Sequence, residues 1–227
     1  MNFSVAIDGP AGAGKSTIAK AAAASLGFVY VDTGAIYRTV GLAASRRGYG
    51  AEHPDEIAEM LPELTITMRY VDGVQRMFLG EEDVSDLIRT PEISKYASIV
   101  AAIPAVRAFL LQMQRSMAQQ YKVIMDGRDI GTVVLPNADL KIFLTASAQE
   151  RAARRYAQLE EKGDVSISLE EVLQDIIDRD KQDMEREIAP LKQADDAILL
   201  DTSDLNLDQS IAAVAKLIED GMRGSAK

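Results

Sequence analysis

The stretch GPAGAGKS, from Gly9 to Ser16, decides the fold of this chain. It fits the pattern GxxxxGK(S/T) at every fixed position. Residues 3–7 before it are apolar at alternate positions, as a strand is, and the alanine-rich run that follows predicts a helix ended by Gly27. In this context of strand, turn and helix, the pattern indicates a phosphate-binding P-loop rather than a glycine-rich turn with a chance lysine.

A P-loop binds a nucleoside triphosphate through its backbone. Successive N–H groups of the turn and the N-terminus of the helix point at phosphate oxygens. Lys15 adds a positive charge near the β and γ phosphates, and the Ser16 hydroxyl is suited to Mg²⁺. The residues expected to hold ATP here are Gly9, Pro10, Ala11, Gly12, Ala13, Gly14, Lys15, Ser16 and Thr17.

Composition narrows the range of partners. The 227 residues are 47% hydrophobic and 26% charged, which is typical of one globular core with small insertions. The net charge of −10 argues against a nucleic-acid partner, whereas 15 arginines against 10 lysines favour a small polyanion. We expect a cytoplasmic protein with no membrane partner, because the sequence has no cysteine, no transmembrane-length apolar run and no signal segment. A monomer is the default expectation for its oligomeric state.

Apolar runs separated by helical stretches indicate buried parallel strands. They are Phe3–Ile7, Phe28–Val31, Val123–Met125, Leu140–Leu144 and Ile198–Leu200. This alternation predicts an α/β P-loop fold of three layers, in which helices cover a five-stranded parallel sheet. The last helix is expected from Leu207 to Asp220, with Gly221 as its stop.

Residues 64–89 break that alternation and predict a small antiparallel insert. Thr65–Tyr70 and Gln75–Leu79 resemble strands on either side of the turn signal Asp72-Gly73, and Val84–Ile88 is expected to add a third strand.

Several later positions are typical helix starts. Thr90-Pro91 and Ile103-Pro104 each precede a helix. An arginine-dense helix is expected over Ala148–Lys162, and a capping box of Ser168 with Glu171 opens another long helix.

Polar segments follow the second and third strands, at the sheet edge where such folds bind ligands. These are Asp32–Arg38 and Asp126–Thr132. Five arginines in these segments or on helices are expected to converge on one crevice there. Taken alone, each could instead be a surface residue, for example in an exposed ion pair. They are Arg38, Arg107, Arg128, Arg179 and Arg186.

These arginines bear on what receives the phosphoryl group. An alcohol needs a carboxylate base, whereas a phosphate oxygen is already ionised and needs cations that offset repulsion. Five arginines therefore favour a phosphate acceptor. Asp126 or Asp129 could still act as a base, so an alcohol acceptor stays open. A GTPase-like switch is less favoured, because the sequence has no guanine-reading NKxD.

Five motifs in this order resemble the bacterial cytidylate kinases. They are GPAGAGKST, DTGAIYR, DGRDIGTVVLPNADLKIFLTAS, RAARR and RDKQDMEREIAPL. The similarity extends over nearly the whole chain and includes the insert, which that family carries in its monophosphate-binding region. It implies transfer of the γ-phosphoryl group of ATP to CMP or dCMP, with Mg²⁺. Gln182 and Met184 depart from the family, since some relatives have basic or polar residues there.

The resemblance implies a role for each matched residue. The catalytic residues would be Lys15, Asp126, Arg128 and Arg179, with Ser16 at the metal. The CMP site would comprise Asp32, Thr33, Gly34, Tyr37, Arg38, Arg107, Arg128, Asp129, Asp183 and Arg186. Arg151, Arg154 and Arg155 would contact ATP from a mobile lid. An aspartate that accepts from the cytosine amine would distinguish cytosine from uracil, which has an acceptor at that position.

The same resemblance divides the chain into functional parts. The core would comprise residues 1–36, 107–147 and 166–227. The monophosphate-binding region would span 37–106, with the insert at about 64–89, and the lid would span 148–165.

Overall fold

The computed structural model of this chain describes residues 2–71, 74–161 and 167–225. The predicted Asp72-Gly73 turn lies outside these ranges, as do residues 162–165 of the predicted lid. The chain divides into two compact units. The first comprises residues 1–31 and 117–227, and the second comprises residues 32–116.

Helices and strands alternate along much of the chain. The strands are β1 (Ser4–Asp8), β2 (Val29–Asp32), β3 (Ile66–Val71), β4 (Val74–Leu79), β5 (Glu82–Asp83), β6 (Val123–Gly127), β7 (Leu140–Thr145) and β8 (Ile198–Asp201). The helices are α1 (Lys15–Leu26), α2 (Thr33–Arg46), α3 (Pro54–Met60), α4 (Pro91–Ala101), α5 (Pro104–Gln120), α6 (Ala148–Glu161), α7 (Leu169–Glu185) and α8 (Leu207–Ser225). Short turns are 3₁₀-helical at Leu61–Glu63 and Leu87–Arg89 and π-helical at Ile130–Val134.

The larger sheet has, among the described residues, five strands in the order β2-β6-β1-β7-β8. β1 pairs in parallel with β6 and β7, and β7 pairs in parallel with β8. The strand that leads into the P-loop is therefore central, which places the loop in the middle of one sheet edge. The predicted five-stranded parallel sheet is confirmed, with strand ends shifted by at most two residues.

Helices α1 and α8 pack against each other and share a buried core with the sheet. Ala19, Ala22 and Ala23 of α1 are buried in it, and such small side chains let a helix lie close to its neighbours. The Phe3 and Phe28 rings meet edge to face with their centroids 6.2 Å apart. This core fixes the ends of β1 and α1, which flank the P-loop.

Helices α6 and α7 form a second packed pair. Their shared core consists of Ala152, Leu159, Val172 and Ile176. The predicted capping box at the start of α7 is confirmed. Ser168 accepts from the backbone N–H of Glu171, and the Glu171 carboxylate accepts in return from the Ser168 N–H. The long helix that carries the predicted site residues Arg179 and Asp183 is thus fixed at its N-terminus.

The second unit contains the insert, an antiparallel sheet of β3, β4 and β5 in the described residues. Helix α2 packs against α4, and both have side-chain N-caps. Asp32 caps α2 and Thr90 caps α4, where Pro91 takes the first helical position as predicted.

The third predicted strand of the insert is wrong. β5 covers only Glu82–Asp83, and Val84–Ile88 turns instead, because the Ile88 N–H donates to the Val84 carbonyl at 3.0 Å. Val84 and Ile88 are both buried. Residues four apart lie on the same side of a helical turn and also on the same face of a strand, so their burial fits either structure.

The predicted stop of the last helix is also wrong, since α8 continues through Gly221 to Ser225. A β-carbon on Gly221 would lie 3.4 Å from the Phe3 ring and 3.8 Å from a Leu140 methyl group. Both distances are ordinary van der Waals contacts, so Gly221 is an interior residue of α8 that faces Phe3 and Leu140 and does not end the helix.

In the described ranges, no single helix is both long and apolar enough to span a membrane. Helices α4 and α5 meet those criteria only when taken together, across a 98° bend.

Candidate active site

The P-loop joins β1 to α1 in the turn that the sequence predicts. Gly9 has a φ of +149°, and a β-carbon there would lie 1.9 Å from the Leu144 carbonyl oxygen of β7. No other residue fits this position without moving the adjacent strand. Gly14 precedes α1 in a left-handed conformation, with a φ of +81°. The glycines therefore allow the chain to pass close over the sheet edge and enter the helix.

Lys15, the first residue of α1, is buried and folds back over this loop. Its Nζ donates to the Pro10 carbonyl at 2.6 Å. Burial, and next the nearby Arg128 guanidinium, lower the pKa of Lys15 well below its ordinary value, while the carboxylates of Asp126 and Asp8 oppose that shift. A desolvated cation with a second cation beside it is an arrangement that a bound anion stabilises.

Asp126 lies in β6 and is 4% exposed. One carboxylate oxygen, Oδ2, accepts from the Ser16 hydroxyl at 2.7 Å, and the other, Oδ1, accepts from the Tyr30 hydroxyl at 2.9 Å. The two hydrogen bonds fix the carboxylate against the P-loop serine. Two hard oxygen ligands therefore lie side by side, and Mg²⁺ binds such ligands together with phosphate oxygens. The described residues contain no group of three or more His, Asp or Glu side chains that could hold a metal by themselves.

Asp8, the last residue of β1, is also buried. Its two carboxylate oxygens accept from consecutive backbone N–H groups, those of Ile130 and Gly131, both at 2.7 Å. Burial raises the pKa of Asp8 from 3.8 to about 6, the charge of Asp129 adds to the rise, and the two N–H groups and Lys15 oppose it. A buried carboxylate therefore ties the residue before the P-loop to the turn after β6.

A cluster of alternating charges joins the segment after β6 to α7. The Arg128 Nε donates to Asp183 at 2.7 Å, and the Arg186 guanidinium lies 3.6 Å from the Asp129 carboxylate and 4.0 Å from that of Asp183. All four side chains are at most 21% exposed. Arg179 is on the same helix, four residues before Asp183. The structure thus brings together these residues of the predicted catalytic and cytosine-reading sets.

The turn after α7 holds Arg186 in place. Its Nε donates to the Ala189 carbonyl at 2.6 Å, and the Leu191 N–H donates to the Asp183 carbonyl at 2.8 Å. Ala189 has a φ of +49°, which is strained for a residue with a side chain. A locally unfavourable turn therefore supports Asp183 of α7 and Arg186, which caps the C-terminus of that helix.

Arg151 of α6 is 5% exposed and donates to three protein groups. Its partners are the Ala11 carbonyl of the P-loop at 2.7 Å, the Ala146 carbonyl at 2.9 Å and the Asp180 carboxylate of α7 at 2.6 Å. In this structure Arg151 therefore connects the P-loop backbone to α6 and α7. A direct contact with ATP stays a prediction.

The other two predicted lid arginines lie differently. Arg154 donates to Glu150 and to the carbonyls of Thr202 and Leu205. Arg155 is exposed and makes no ion pair or hydrogen bond with any part of the chain that the structure describes. Of the three, Arg155 could therefore bind a ligand without breaking a contact to the described part of the chain.

In the second unit, Asp32 and Arg38 face each other on the first turns of α2. Asp32 Oδ1 accepts from the Ala35 N–H at 2.7 Å, and Oδ2 pairs with Arg38 at 3.0 Å. A β-carbon on Gly34 would lie 3.1 Å from the Arg38 guanidinium, so this glycine leaves room for the pair. The adjacent Thr33 is buried.

Arg107 of α5 is buried and approaches the Tyr37 ring, with 5.8 Å between the guanidinium carbon and the ring centroid. It also donates to the Ala101 carbonyl at 3.4 Å. Two predicted CMP-site residues of α2 and α5 are thus neighbours. That the arginines of both units converge on one crevice stays a prediction.

Sequence reasoning missed three residues of this site. Asp8 directly follows the predicted strand Phe3–Ile7, Tyr30 lies in the predicted strand Phe28–Val31, and Asp180 lies on the predicted long helix after Ser168. A signal existed for Asp8, because an acidic residue at the end of a buried strand, next to a P-loop, needs a partner. No local signal identifies the hydroxyl of Tyr30 or the carboxylate of Asp180.

Comparison with known proteins agrees with this geometry. Residues 5–220 match the family model described as cytidylate kinase. A cytidylate kinase from an Exiguobacterium species is 48% identical over 219 residues, covering 96% of this chain and 97% of the relative. One from Caldicellulosiruptor bescii is 50% identical over 215 residues, covering 95% of each. An uncharacterized protein from Eubacterium ventriosum shares the fold, at 12% identity and a TM-score of 0.53 over 96% of this chain and 99% of that one. Because the family model matches residues 5–220 and the two relatives match nearly the whole chain, the chain belongs to the cytidylate kinase family.

Proposed function

We propose that this chain transfers the γ-phosphoryl group of ATP to CMP or dCMP, giving ADP and CDP or dCDP. The observation that carries the chemistry is the pair of cations at the P-loop. Arg128 is near enough to Lys15 to lower its pKa, although both are held among protein groups with little solvent. Two like charges fixed in a desolvated site stabilise a transferring phosphoryl group, whose charge spreads over its oxygens.

The ATP side follows from the P-loop. The backbone N–H groups of residues 9–16 would hold the phosphates, and Lys15 would exchange the Pro10 carbonyl for phosphate oxygens. The neighbouring oxygens of Ser16 and Asp126 fit Mg²⁺, with Ser16 as the ligand and Asp126 as its partner. When bound, Mg²⁺ neutralises charge on the phosphates. Arg151, Arg154 and Arg155 would complete the ATP site from a lid over residues 148–165.

The acceptor side follows from the family resemblance. Arg38 and Arg107 would hold the phosphate of CMP, with Arg128 between that phosphate and the transferred group. Because a phosphate acceptor is already ionised, the transfer needs no carboxylate base, which leaves Asp126 with a positioning role. The further proposed acceptor contacts are Asp32, Thr33, Gly34, Tyr37 and Arg179.

The cytosine ring would be read by alternating charges. Asp129 and Asp183 provide acceptors for the exocyclic amine, and Arg186 provides donors for N3 or O2. Uracil would place an acceptor against a carboxylate, and a buried polar group left unpaired costs about 1–3 kcal/mol. The net charge of −10 supports nucleotides rather than nucleic acids as partners. The cytoplasmic location, the monomeric state and the domain boundaries stay predictions.

The test is ADP formation from ATP and Mg²⁺ with a panel of acceptors. The panel contains CMP, dCMP, UMP, AMP, GMP, dTMP and shikimate. We expect turnover with CMP and dCMP and slower turnover with UMP. Turnover of another acceptor would leave phosphoryl transfer intact but overturn cytosine recognition, and the absence of any acceptor-dependent turnover would overturn the kinase proposal.

The base-reading role has its own variant. Asp129→Ala is expected to lower the CMP-to-UMP rate ratio by about 5- to 100-fold, as the loss of one buried polar contact does. ATP binding is expected to change little. The exposed Asp195 offers a matched Asp195→Ala control. An unchanged ratio in the Asp129 variant would remove that residue from base recognition.

A further inference from the structure

Arg128 and Asp129 form a two-residue link between ordered elements. β6 ends at Gly127, and the π-helical turn begins at Ile130. Their side chains contact Asp183 of α7 and Arg186, the residue that caps this helix, and both are partly shielded from solvent. Whether the link holds one conformation depends on what fixes the backbone at its two ends.

Both ends of the link are fixed by the same residue. On the N-terminal side, Gly127 lies opposite Asp8 in the parallel pairing of β6 with β1. On the C-terminal side, the Asp8 carboxylate accepts from the N–H groups of Ile130 and Gly131, both at 2.7 Å. The backbone and side chain of one residue thus bracket the link.

We propose that Asp8 is a positioning residue, which fixes Arg128 and Asp129 for their contacts with the acceptor by clamping both ends of the segment that carries them. This inference rests on the proposed (d)CMP kinase function. Asp8 does not touch the substrates in this assignment. It acts through the backbone, and its position directly before Gly9 ties the acceptor-reading segment to the start of the P-loop.

The clamp requires an ionised carboxylate. Two N–H donors face two oxygens, and a protonated carboxyl group would replace one acceptor by an O–H donor. The charged groups that face Asp8 are Lys15 from α1 and Asp129 from the link itself. The methylene groups of Lys141 from β7 also approach Gly131, since a β-carbon there would lie 3.1 Å from Lys141 Cδ and 3.3 Å from Asp8 Oδ2. Since the pKa of Asp8 is raised to about 6, an ordinary assay range reaches both states.

Asp8→Asn tests the clamp without a change of shape. Its amide has one acceptor, so one N–H donor would face an NH₂ group. We expect kcat/KM for CMP to fall about 10- to 100-fold, the loss that follows removal of one hydrogen bond to a charged group, with ATP affinity changed less than threefold. The matched control is Asp139→Asn at the other end of β1, where the carboxylate accepts from the N–H and hydroxyl of Ser4.

A pH profile separates positioning from simple support of the fold. In the wild type, the rate of CMP phosphorylation should fall as pH drops through about 6, because Asp8 becomes protonated. The Asp8→Asn variant should lack the part of this decrease that Asp8 causes. Substrate phosphates titrate in the same range in both proteins, so the difference between the profiles isolates Asp8. The folded pKa lies above the unfolded value of 3.8, so protonation of Asp8 stabilises the fold as pH falls from about 6 to about 4. Activity and stability are therefore expected to move in opposite directions across that window.

Two further measurements keep the test decisive. The amide proton shifts of Ile130 and Gly131 in NMR spectra should titrate with a midpoint near pH 6 in the wild type and not in Asp8→Asn. If that variant does not fold, Gly131→Ala replaces it, because its β-carbon would crowd the Asp8 carboxylate at 3.3 Å as well as the flexible Lys141 side chain at 3.1 Å. We expect a smaller loss of CMP turnover from it.

The outcomes distinguish this inference from the function on which it rests. A wild type inactive toward CMP overturns the proposed function. An active wild type whose CMP pH profile coincides with that of Asp8→Asn overturns the clamp. An equal loss of ATP affinity and CMP turnover would also overturn it, since Asp8 would then support the P-loop as a whole.

Discussion

Ion pairs in two regions of this molecule share their chemistry and differ in burial. In the first unit, Arg151 and Asp180 are 2.6 Å apart with side chains only 6% and 13% exposed. In the insert, Arg69 and Glu81 are 3.2 Å apart with side chains 44% and 89% exposed. Both pairs join an arginine to a carboxylate, and they differ in how much solvent surrounds them.

Burial decides what such a pair does. An exposed pair is screened by water and salt and contributes little to stability. A buried pair contributes little more than an apolar replacement would, but the loss of one partner leaves a charge without compensation. Single substitutions at the buried ion pairs of the P-loop region are therefore expected to be costly, whereas those at the exposed ion pairs of the insert are expected to be tolerated.

Lys15→Ala should have the largest effect. It removes the fixed cation at the phosphates, and we expect kcat to fall about 10³-fold, as for the loss of one strong transition-state contact. Because Lys15 is a desolvated cation, we expect the variant to keep its fold. An assay of ADP formation measures the activity, and thermal unfolding measures the stability. Lys20→Ala, an exposed position on the same helix, is the control. Activity close to wild type would overturn the P-loop assignment.

Asp180→Ala tests the buried side of the comparison through stability. Arg151 would keep two carbonyl acceptors but lose its counter-charge, and we expect a loss of about 3 kcal/mol in the free energy of unfolding. Urea unfolding measures this loss. Asp178→Ala removes an exposed carboxylate from the same helix and is expected to change stability far less. Equal effects of the two substitutions would show that burial does not separate these positions.

Tyr30→Phe removes one hydroxyl from the same buried network. The Asp126 carboxylate would keep its bond from Ser16 and lose the bond from Tyr30, and we expect a loss of about 1.5 kcal/mol in stability. We also expect the Mg²⁺ concentration for half-maximal activity to rise. Tyr121→Phe, at an exposed tyrosine, is the control. If the Tyr30 variant had wild-type stability and Mg²⁺ dependence, the hydroxyl would have no role in positioning Asp126.

The elements that the sequence predicts well depend on neighbours along the chain. The glycine turn of the P-loop, the Ser168–Glu171 capping box and the Thr90-Pro91 helix start each involve residues at most seven positions apart. Their physical causes are backbone conformation and caps, which a short window of sequence contains. The Val84–Ile88 error has the same origin, since two buried residues four apart suit a strand or a turn.

The missed part of the site depends on long-range contacts. Asp8 and Ile130 are 122 residues apart, Tyr30 and Asp126 are 96 apart, and Arg151 and Asp180 are 29 apart. Sheet order decides the first two pairings, and the packing of α6 on α7 decides the third. Arg151 shows the consequence, because the resemblance implies a contact with ATP but gives no sign of the hydrogen bond that Arg151 donates to the P-loop carbonyl of Ala11.

The insert should show the smallest effect. Arg76 pairs with Asp83 at 2.7 Å and with Asp86 at 3.3 Å, and all three side chains lie at the surface. The pKa of Asp83 is lowered to about 2 chiefly by the Ser85 hydroxyl and N–H, with Arg76 a lesser cause. We therefore expect Arg76→Ala to lower Tm slightly at low salt and not at all at high salt.

Ser85→Ala sharpens this last test inside the same turn. Ser85 is buried, and its hydroxyl accepts from the Met77 N–H at 2.8 Å, so its removal leaves a buried donor without a partner. The expected Tm loss exceeds that of Arg76→Ala and persists at high salt. The lowered pKa of Asp83 stabilises the fold above about pH 4, and this contribution is lost as pH falls toward 2. Because Ser85 is the main cause of the lowered pKa, the Ser85 variant should lose stability less steeply than the wild type on acidification. If Arg76→Ala were the more damaging of the two, exposed charge rather than buried hydrogen bonding would hold the insert together, and the contrast between the two regions would fail.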